Sequence, residues 1–256
     1  KSITIFVTGG GTGGHIYPAI AVADYMDVNN SAKIYYVGNP NNLEYEVVKN
    51  KGYEFLPVNI TAMPRKIGFK FIFWSFKLLS ATIKVLFYIK SYNPDAVFGT
   101  GGYVSSPALL AAKLTGVATI IHDCDANPGL VTRKFAPLAN GVSLSFENAK
   151  KFINNPNCAI NGTPIRKDFA EINRNSARAS LGLENKLTLC VMGGSQGAKT
   201  INNSVIHLLE KLSKEYNIQI FFQTGKKNFV EVINKLNTVY PGYSNDKNII
   251  INPYFD

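Results

Sequence analysis

The chain is expected to fold as an α/β protein in which two doubly wound units follow one another, each on a parallel sheet and the second incomplete. Three observations predict this. Short β-branched or aromatic runs alternate with helix-like segments along all 256 residues, the order expected of βαβ units. A glycine-rich turn stands before a small-residue or polar helix three times, in "TGGGTGGHIYPAIAVA", "FGTGGYVSSPALLAA" and "GGSQGA". The pattern also pauses at the polar stretch "NGTPIRKDFAEINRNSARASLGLENK" and then begins again.

Taken in order, Ile3, Ile5 and Val7 alternate with Thr4 and Phe6, which predicts a buried strand over residues 3–7. Pro18 and the small residues after it open a helix that runs to about residue 28. Strands follow at 33–37, 53–58, 96–98, 118–121, 141–145 and 158–160, so a first unit fills residues 1–163. Residues 164–256 hold a linker with a short helix, a strand over 187–192, a helix over 199–212, a strand over 218–223, the turn "TGKKN", another helix, and a strand over 249–251. Three strands make half of a doubly wound domain. The expectation is therefore a chain cut short, or one that another polypeptide completes.

A hydrophobic content of 46% with 17% charged residues supports a real core and argues against disorder. Lysine and arginine outnumber the acids 27 to 17, a net charge of +10 that points to an anionic partner: nucleic acid, a membrane surface or a phosphorylated substrate. Nucleic acid is set aside, because no helix-turn-helix, zinc finger or RRM pattern appears and the aromatics fall on a helix rather than a stacking sheet. Cys124, Cys158 and Cys190 have no CxxC spacing, so neither a zinc site nor a disulfide framework is indicated, and a reducing compartment is expected. The chain enters a strand at once with no charged-then-apolar leader, and begins at Lys1 without methionine.

A strand, a tight glycine turn and a helix N-terminus gather backbone N–H groups at one point, where the helix dipole favours an anion. Gly9, Gly11 and Gly14 satisfy GxGxxG, but "KIYYVGNPNN" lacks the acid that a nicotinamide site wants at the end of the second strand. The second turn, with Gly99, Gly101 and Gly102, repeats the arrangement, and two such turns can flank one diphosphate. Glycines that merely permit tight turns explain any one of the three, and the set less well. In the third turn, Gly193-Gly194-Ser195-Gln196-Gly197 matches the GxSxG nucleophile elbow. The one later histidine, His207, lies on the helix this turn opens and cannot return to Ser195, so a serine hydrolase is set aside.

In matching order across nearly the whole chain, "GGTGGHIYPAIAVA", "GTGGYVSSP", "HDCDANPGL", "NGTPIR", "GGSQGA" with Asn202, and "FQTGK" resemble the motifs of the MurG family of peptidoglycan N-acetylglucosaminyltransferases. The resemblance implies a GT-B fold of two Rossmann-like domains and an inverting transfer of GlcNAc from UDP-GlcNAc to the muramyl 4-hydroxyl of lipid I, making lipid II. It places the acceptor diphosphate at Gly11, Thr12, Gly13, Gly14, Gly101, Gly102 and Tyr103, with Asp125 and Asn127 in the acceptor cleft. Donor binding would involve Thr12, Gly13, Gly14, Arg166, Ser195, Gly197 and Asn202. Arg suits phosphate through its bidentate fork, and a helix N-terminus stabilises the charge growing on the leaving UDP. His15 is the natural base, since imidazole exchanges a proton near neutral pH, and Asp123 is the second catalytic candidate.

Two departures from the family stand out. Where it often has His-Glu-x-Asn, this chain has His122-Asp123-Cys124-Asp125. Asp-x-Asp is a metal-binding pattern elsewhere, but adjacent residues of a strand point to opposite faces and only a loop could converge this cluster, so no dedicated metal site is expected and no cofactor is required. A loosely held Mg or Mn ion on the acceptor diphosphate is the expected exception, and His122 reads as a packed strand-end residue. The portion that follows "PYFD" in the family completes the donor domain, so this form is expected to bind acceptor and membrane but to transfer poorly or not at all. A related GT-B transferase with another nucleotide sugar or lipid acceptor, or a non-catalytic acceptor-binding half, are the alternatives.

Residues 64–90 carry Arg65, Lys66, Lys70, Lys77, Lys84 and Lys90 with no acid between Glu54 and Asp95. Lysines interrupt every apolar run, which argues against a spanning helix. Ile72, Phe76, Leu79, Ile83 and Leu86 form the stripe expected to pack on the sheet. That leaves Phe71, Trp74, Leu78 and Val85 beside Lys70, Lys77 and Lys84 as an interfacial contact, aromatics in the acyl boundary and Lys77 and Lys84 on anionic headgroups. The plainer reading is a wide core face with solvated lysines. The interfacial reading, with the resemblance, places the protein peripherally on the cytoplasmic face of the cell membrane, with UDP-GlcNAc, lipid I and the anionic inner surface as partners.

Overall fold

A computed structural model of the chain describes residues 3–64, 66, 68–194 and 196–255, with the backbone alone at 168 and 170. It divides into two compact units, residues 1–170 and 171–256, where the sequence expectation put the division after 163. Arg65 and Ser195 lie outside the described residues.

In the first unit the strands are β1 (Thr4–Thr8), β2 (Lys33–Gly38), β3 (Glu54–Pro57), β4 (Ala96–Gly99), β5 (Ala118–Asp123), β6 (Gly141–Leu144) and β7 (Cys158–Ile160). They form one parallel sheet in the order β3-β2-β1-β4-β5-β6-β7. The order reverses between β1 and β4, which pair from Ile5↔Ala96 to Thr8↔Gly99. Ligands of open α/β sheets bind at the carboxyl ends of strands at such a switch point, and the first two glycine turns leave β1 and β4 there.

The helices of this unit are α1 (Gly13–Asn30), α2 (Leu43–Lys51), α3 (Phe69–Tyr92), α4 (Ser106–Thr115) and α5 (Leu130–Phe135). Strand alternation sorts β1 between two core layers. Ile5 and Val7 join Ile16, Ile20 and Ala23 of α1 and Val48 of α2. Phe6 joins Val85 and Ile89 of α3 and the alanine-rich face of α4, Ala108, Ala111 and Ala112.

The facing of α3 corrects the sequence expectation. Its buried residues are Ala81, Thr82, Val85 and Ile89, and Phe71, Trp74 and Leu78 lie half-buried along the same face, with Trp74 Nε1 donating to the Thr61 carbonyl at 2.9 Å. Ile72, Phe76, Leu79 and Ile83, expected inside, are exposed, and Leu86 is half-buried. The helix has two apolar faces, and side-chain size decides between them: Ala81 shares a core with the alanines of α4 and allows a close approach that bulky rings would prevent. With Phe69, Phe73 and Phe87, also exposed, the outer face is a continuous aromatic and aliphatic strip opposite the core.

The second unit has a three-stranded parallel sheet of β8 (Thr188–Met192), β9 (Gln219–Gln223) and β10 (Ile249–Asn252) in the order β10-β9-β8. In chain order, α6 (Asp168–Glu171) and α7 (Arg174–Ser180) follow β7 and precede β8. The helix expected over 199–212 is two, α8 (Lys199–Ile206) and α9 (Leu209–Lys214), because the Leu208 N–H bonds Val205 three residues back. With α10 (Phe229–Val239) they cover a core of Val191, Ile206, Leu209, Ile220, Phe222, Val232 and Leu236.

Candidate functional site

The first turn carries the chain from β1 into α1 through Gly11, whose φ of +84° lies in the left-handed region. Thr12 stands at the N-cap in an extended conformation and makes no capping bond with its side chain. The first amides of a helix have no partner within it, so those of Gly13 and Gly14 are available to an anion. In the second turn Gly101 and Gly102 have φ of +87° and +74° before a tight 3₁₀ turn, Tyr103–Ser105, leads into α4. A Cβ on Gly102 would collide with the Gly10 carbonyl, and one on Gly101 would rest 3.4 Å from the His15 ring. The two turns therefore touch, with no room for a side chain at the contact.

His15 sits at that contact, half-buried on the first turn of α1. Its Nδ1 lies 2.9 Å from the Thr100 carbonyl oxygen. A carbonyl can only accept, so Nδ1 carries the proton and Nε2 keeps its lone pair. Thr100 holds the backbone as well, its hydroxyl donating to the His15 carbonyl at 2.5 Å and its N–H to Thr8 at 2.9 Å. The ring is thus fixed in the tautomer a general base needs.

Asp123, at the end of β5, is 1% exposed, and both carboxylate oxygens are engaged, accepting from the N–H of Asp125 at 2.9 Å and of Gly129 at 3.2 Å. This geometry shapes the loop over 124–129, and the carboxylate exposed to solvent there is that of Asp125. Asn127, also exposed, accepts from the Arg133 guanidinium, which lies 4.3 Å over the Phe152 ring. The Cys124 thiol, raised to about 11 by burial and then by Asp123 and Asp125, reaches the Gly14 carbonyl at 3.4 Å, tying this loop to the first turn. His122 is buried between Ser143 Oγ at 3.0 Å and Ser145 Oγ at 3.4 Å, and burial lowers its pKa to about 4 despite Asp123. Among the described residues no group of three His, Cys, Asp or Glu side chains is gathered to hold a metal.

Arg166, expected on the donor side, lies in the first unit, its guanidinium 5.5 Å from the Tyr17 ring centroid and 5.2 Å from that of Phe169. Tyr17 belongs to α1 and flanks Gly13, so Arg166 stands by the first turn. In the second unit Gly194 and Gly197 have φ of +73°, and a Cβ on Gly197 would collide with the Thr224 carbonyl. Asn202 is buried, its amide donating to that same carbonyl at 2.9 Å, and Asn228 donates to Gln196 and Thr224 at 3.2 and 3.3 Å. The third turn is thereby joined to the "TGK" turn, and Asn202 braces them.

Sequence reasoning missed Glu44, wholly buried in the first turn of α2. Its carboxylate lies where a Cβ on Gly10 would be and accepts from Gly11 N–H at 3.2 Å, Asn39 N–H at 3.2 Å and Asn42 Nδ2 at 3.1 Å. An acid in a first helical turn ordinarily reads as a surface group matched to the dipole. The only hint was Gly10, which the turn's φ values do not require.

The glycosyltransferase family 28 N-terminal domain matches residues 5–143, and the glycosyltransferase family 28 C-terminal domain matches residues 188–256. A protein of Desulforamulus reducens named "UDP-N-acetylglucosamine--N-acetylmuramyl-(pentapeptide) pyrophosphoryl-undecaprenol N-acetylglucosamine transferase" is 35% identical over 254 residues, covering 97% of this chain and 68% of its own length. The protein of the same name from Alkaliphilus metalliredigens is 38% identical, with 88% and 62% covered. The chain thus spans about two thirds of the length of the curated relatives it matches. Among solved structures, Acinetobacter baumannii MurG superposes with a TM-score of 0.68 at 24% identity, over 99% of this chain and 69% of that one. The UDP-GlcNAc 2-epimerase of Neisseria meningitidis bound to UDP-GlcNAc reaches 0.66 at 14% identity, over 99% and 72%. At these identities the two structures speak to the fold alone.

Proposed function

The chain belongs to glycosyltransferase family 28 and, within it, to the MurG family, and from that premise we propose that it is the acceptor unit and part of the donor unit of a transferase that moves GlcNAc from UDP-GlcNAc to the 4-hydroxyl of lipid I. The observation that carries this reading is His15, held with a free Nε2 where two glycine turns meet. The amides of Gly13 and Gly14 and the second turn at Gly101, Gly102 and Tyr103 would hold the acceptor's diphosphate. Nε2 would take the proton of the acceptor hydroxyl as its oxygen bonds to the anomeric carbon from the face opposite UDP. As that bond forms the bond to the diphosphate breaks, and its electron pair leaves with UDP. Asp123 would shape the loop that presents Asp125 and Asn127. No cofactor enters this scheme; Mg or Mn would ride on the acceptor diphosphate.

The same reading places α3 in the plane of an anionic membrane, on its cytoplasmic face. By length and composition α3 could also cross a bilayer, but Ala81, Thr82, Val85 and Ile89 commit its inner face to the protein. Its outer face, Phe69, Ile72, Phe73, Phe76, Leu79, Ile83 and Phe87, is exposed, and Lys70, Lys77 and Lys84 stand to one side of it.

The deciding experiment is lipid I-dependent release of UDP from UDP-GlcNAc by the polypeptide made from the native gene, with the intact mass of the same sample recorded. Release by a chain heavier than 28.1 kDa supports the transferase. Absence of release by a chain of that mass points to a binding half that works with a partner.

A further inference from the structure

Asn42 occupies the N-cap of α2 yet makes no capping bond, so a side chain suited to closing a helix end is used elsewhere. Its amide instead donates to Glu44 Oε1 at 3.1 Å and to the Tyr103 hydroxyl at 3.0 Å. Glu44 meanwhile holds the amide of Gly11 at 3.2 Å. One buried carboxylate thus grips the first turn directly and, through Asn42, the tyrosine of the second.

The geometry points to Glu44 and Asn42 as positioning residues that set which donors the two turns offer to an anion. This rests on the reading of these turns as the diphosphate site. Two consequences follow from donor and acceptor chemistry. Glu44 already takes the Gly11 N–H, so that amide is withheld from an anion, while the helix-terminal amides of Gly13 and Gly14 have no partner within the helix. Tyr103, by accepting from Asn42, has its own hydroxyl proton free, and among the described hydrogen bonds it donates to nothing. A phenol oriented in this way donates to a phosphate oxygen, a charge-assisted bond and therefore one of the stronger kinds. Without Asn42 the same hydroxyl rotates between donors and acceptors and loses that orientation.

The test is calorimetric binding of inorganic pyrophosphate to the chain and to Asn42→Ala, Tyr103→Phe and the double variant. Tyr103→Phe should weaken binding about tenfold and Asn42→Ala about threefold to tenfold. The double variant should be no weaker than Tyr103→Phe alone, because Asn42 acts only through that hydroxyl; a residue that merely supports the fold would instead give losses that multiply. Asn42→Ser, which keeps a helix-capping side chain but is too short to span to Tyr103, should match Asn42→Ala. Unchanged affinity in both Asn42 variants, or multiplying losses, would overturn the positioning role while leaving the anion site standing. No pyrophosphate binding by the unsubstituted chain would overturn the diphosphate reading and the positioning role with it.

Discussion

Replacing Phe73 and Phe76 by serine should detach the protein from anionic vesicles without unfolding it. The two rings are 61% and 65% exposed on the outer face of α3. A phenylalanine offers roughly 200 Å², so about 130 Å² of each ring is open to solvent. At roughly 25 cal/mol per Å², complete transfer into an apolar phase is worth about 3 kcal/mol per ring. A ring lying flat at the acyl boundary buries about half of that area, about 1.5 kcal/mol or close to tenfold in affinity. The double variant should therefore bind phosphatidylglycerol-containing vesicles about a hundredfold more weakly in a co-sedimentation titration, with its melting temperature nearly unchanged. Trp74→Ala with Leu78→Ala removes inward-facing groups instead, and should lower the melting temperature while leaving vesicle affinity within about twofold. The opposite pattern, full binding by the double serine variant and lost binding by the Trp74 and Leu78 variant, would refute the facing of this helix and with it the in-plane arrangement.

In a transferase-active chain, His15→Ala should lower kcat by about 10²- to 10⁴-fold with little change in acceptor binding, and retained turnover would remove His15 from the role of base. His122 should make the protein acid-sensitive. Burial lowers its pKa to about 4 from the usual 6.5, so between those values the unfolded chain binds a proton there that the folded chain does not. Stability should fall as pH drops through this window, by on the order of 3 kcal/mol at its lower end. A urea midpoint followed against pH should show the slope, and His122→Gln should flatten it. Gly197→Ala places a Cβ against the Thr224 carbonyl at a φ of +73°, and should destabilise the second unit by about 2 kcal/mol or more, read by hydrogen exchange in β8 and β9.

Alternation and turn chemistry made the strand order along the chain and the three glycine turns legible, because both are local signals. The facing of α3 was not. Periodicity finds two apolar stripes on that helix and cannot rank them, and the discriminating signal, Ala81 in one core with the alanines of α4, belongs to the pairing of two helices and not to either alone. His15 was legible from its place after a glycine turn, whereas the grip of Thr100 on it joins residues 85 positions apart. Glu44 was illegible because a buried acid and a surface acid look alike on a helix N-terminus. Asn202 was grouped with the third turn by resemblance alone, and the structure gives its amide to the Thr224 carbonyl, a partner that only the return of β9 brings near.

The seven-stranded sheet is complete at Ile160, and its first strand lies in the middle of it. Every partner that β1 needs has therefore left the ribosome while residues 161–256 are still being made. At about 5–20 residues per second, translation of that remainder takes roughly 5–20 s, long compared with the folding of a single domain. The nascent chain can thus close its first sheet, seat α3 against α4 and display the outer face of α3 before the second unit exists. Folding of the first unit and synthesis of the second become overlapping events, so the outer face of α3 meets its surroundings before the second sheet has formed.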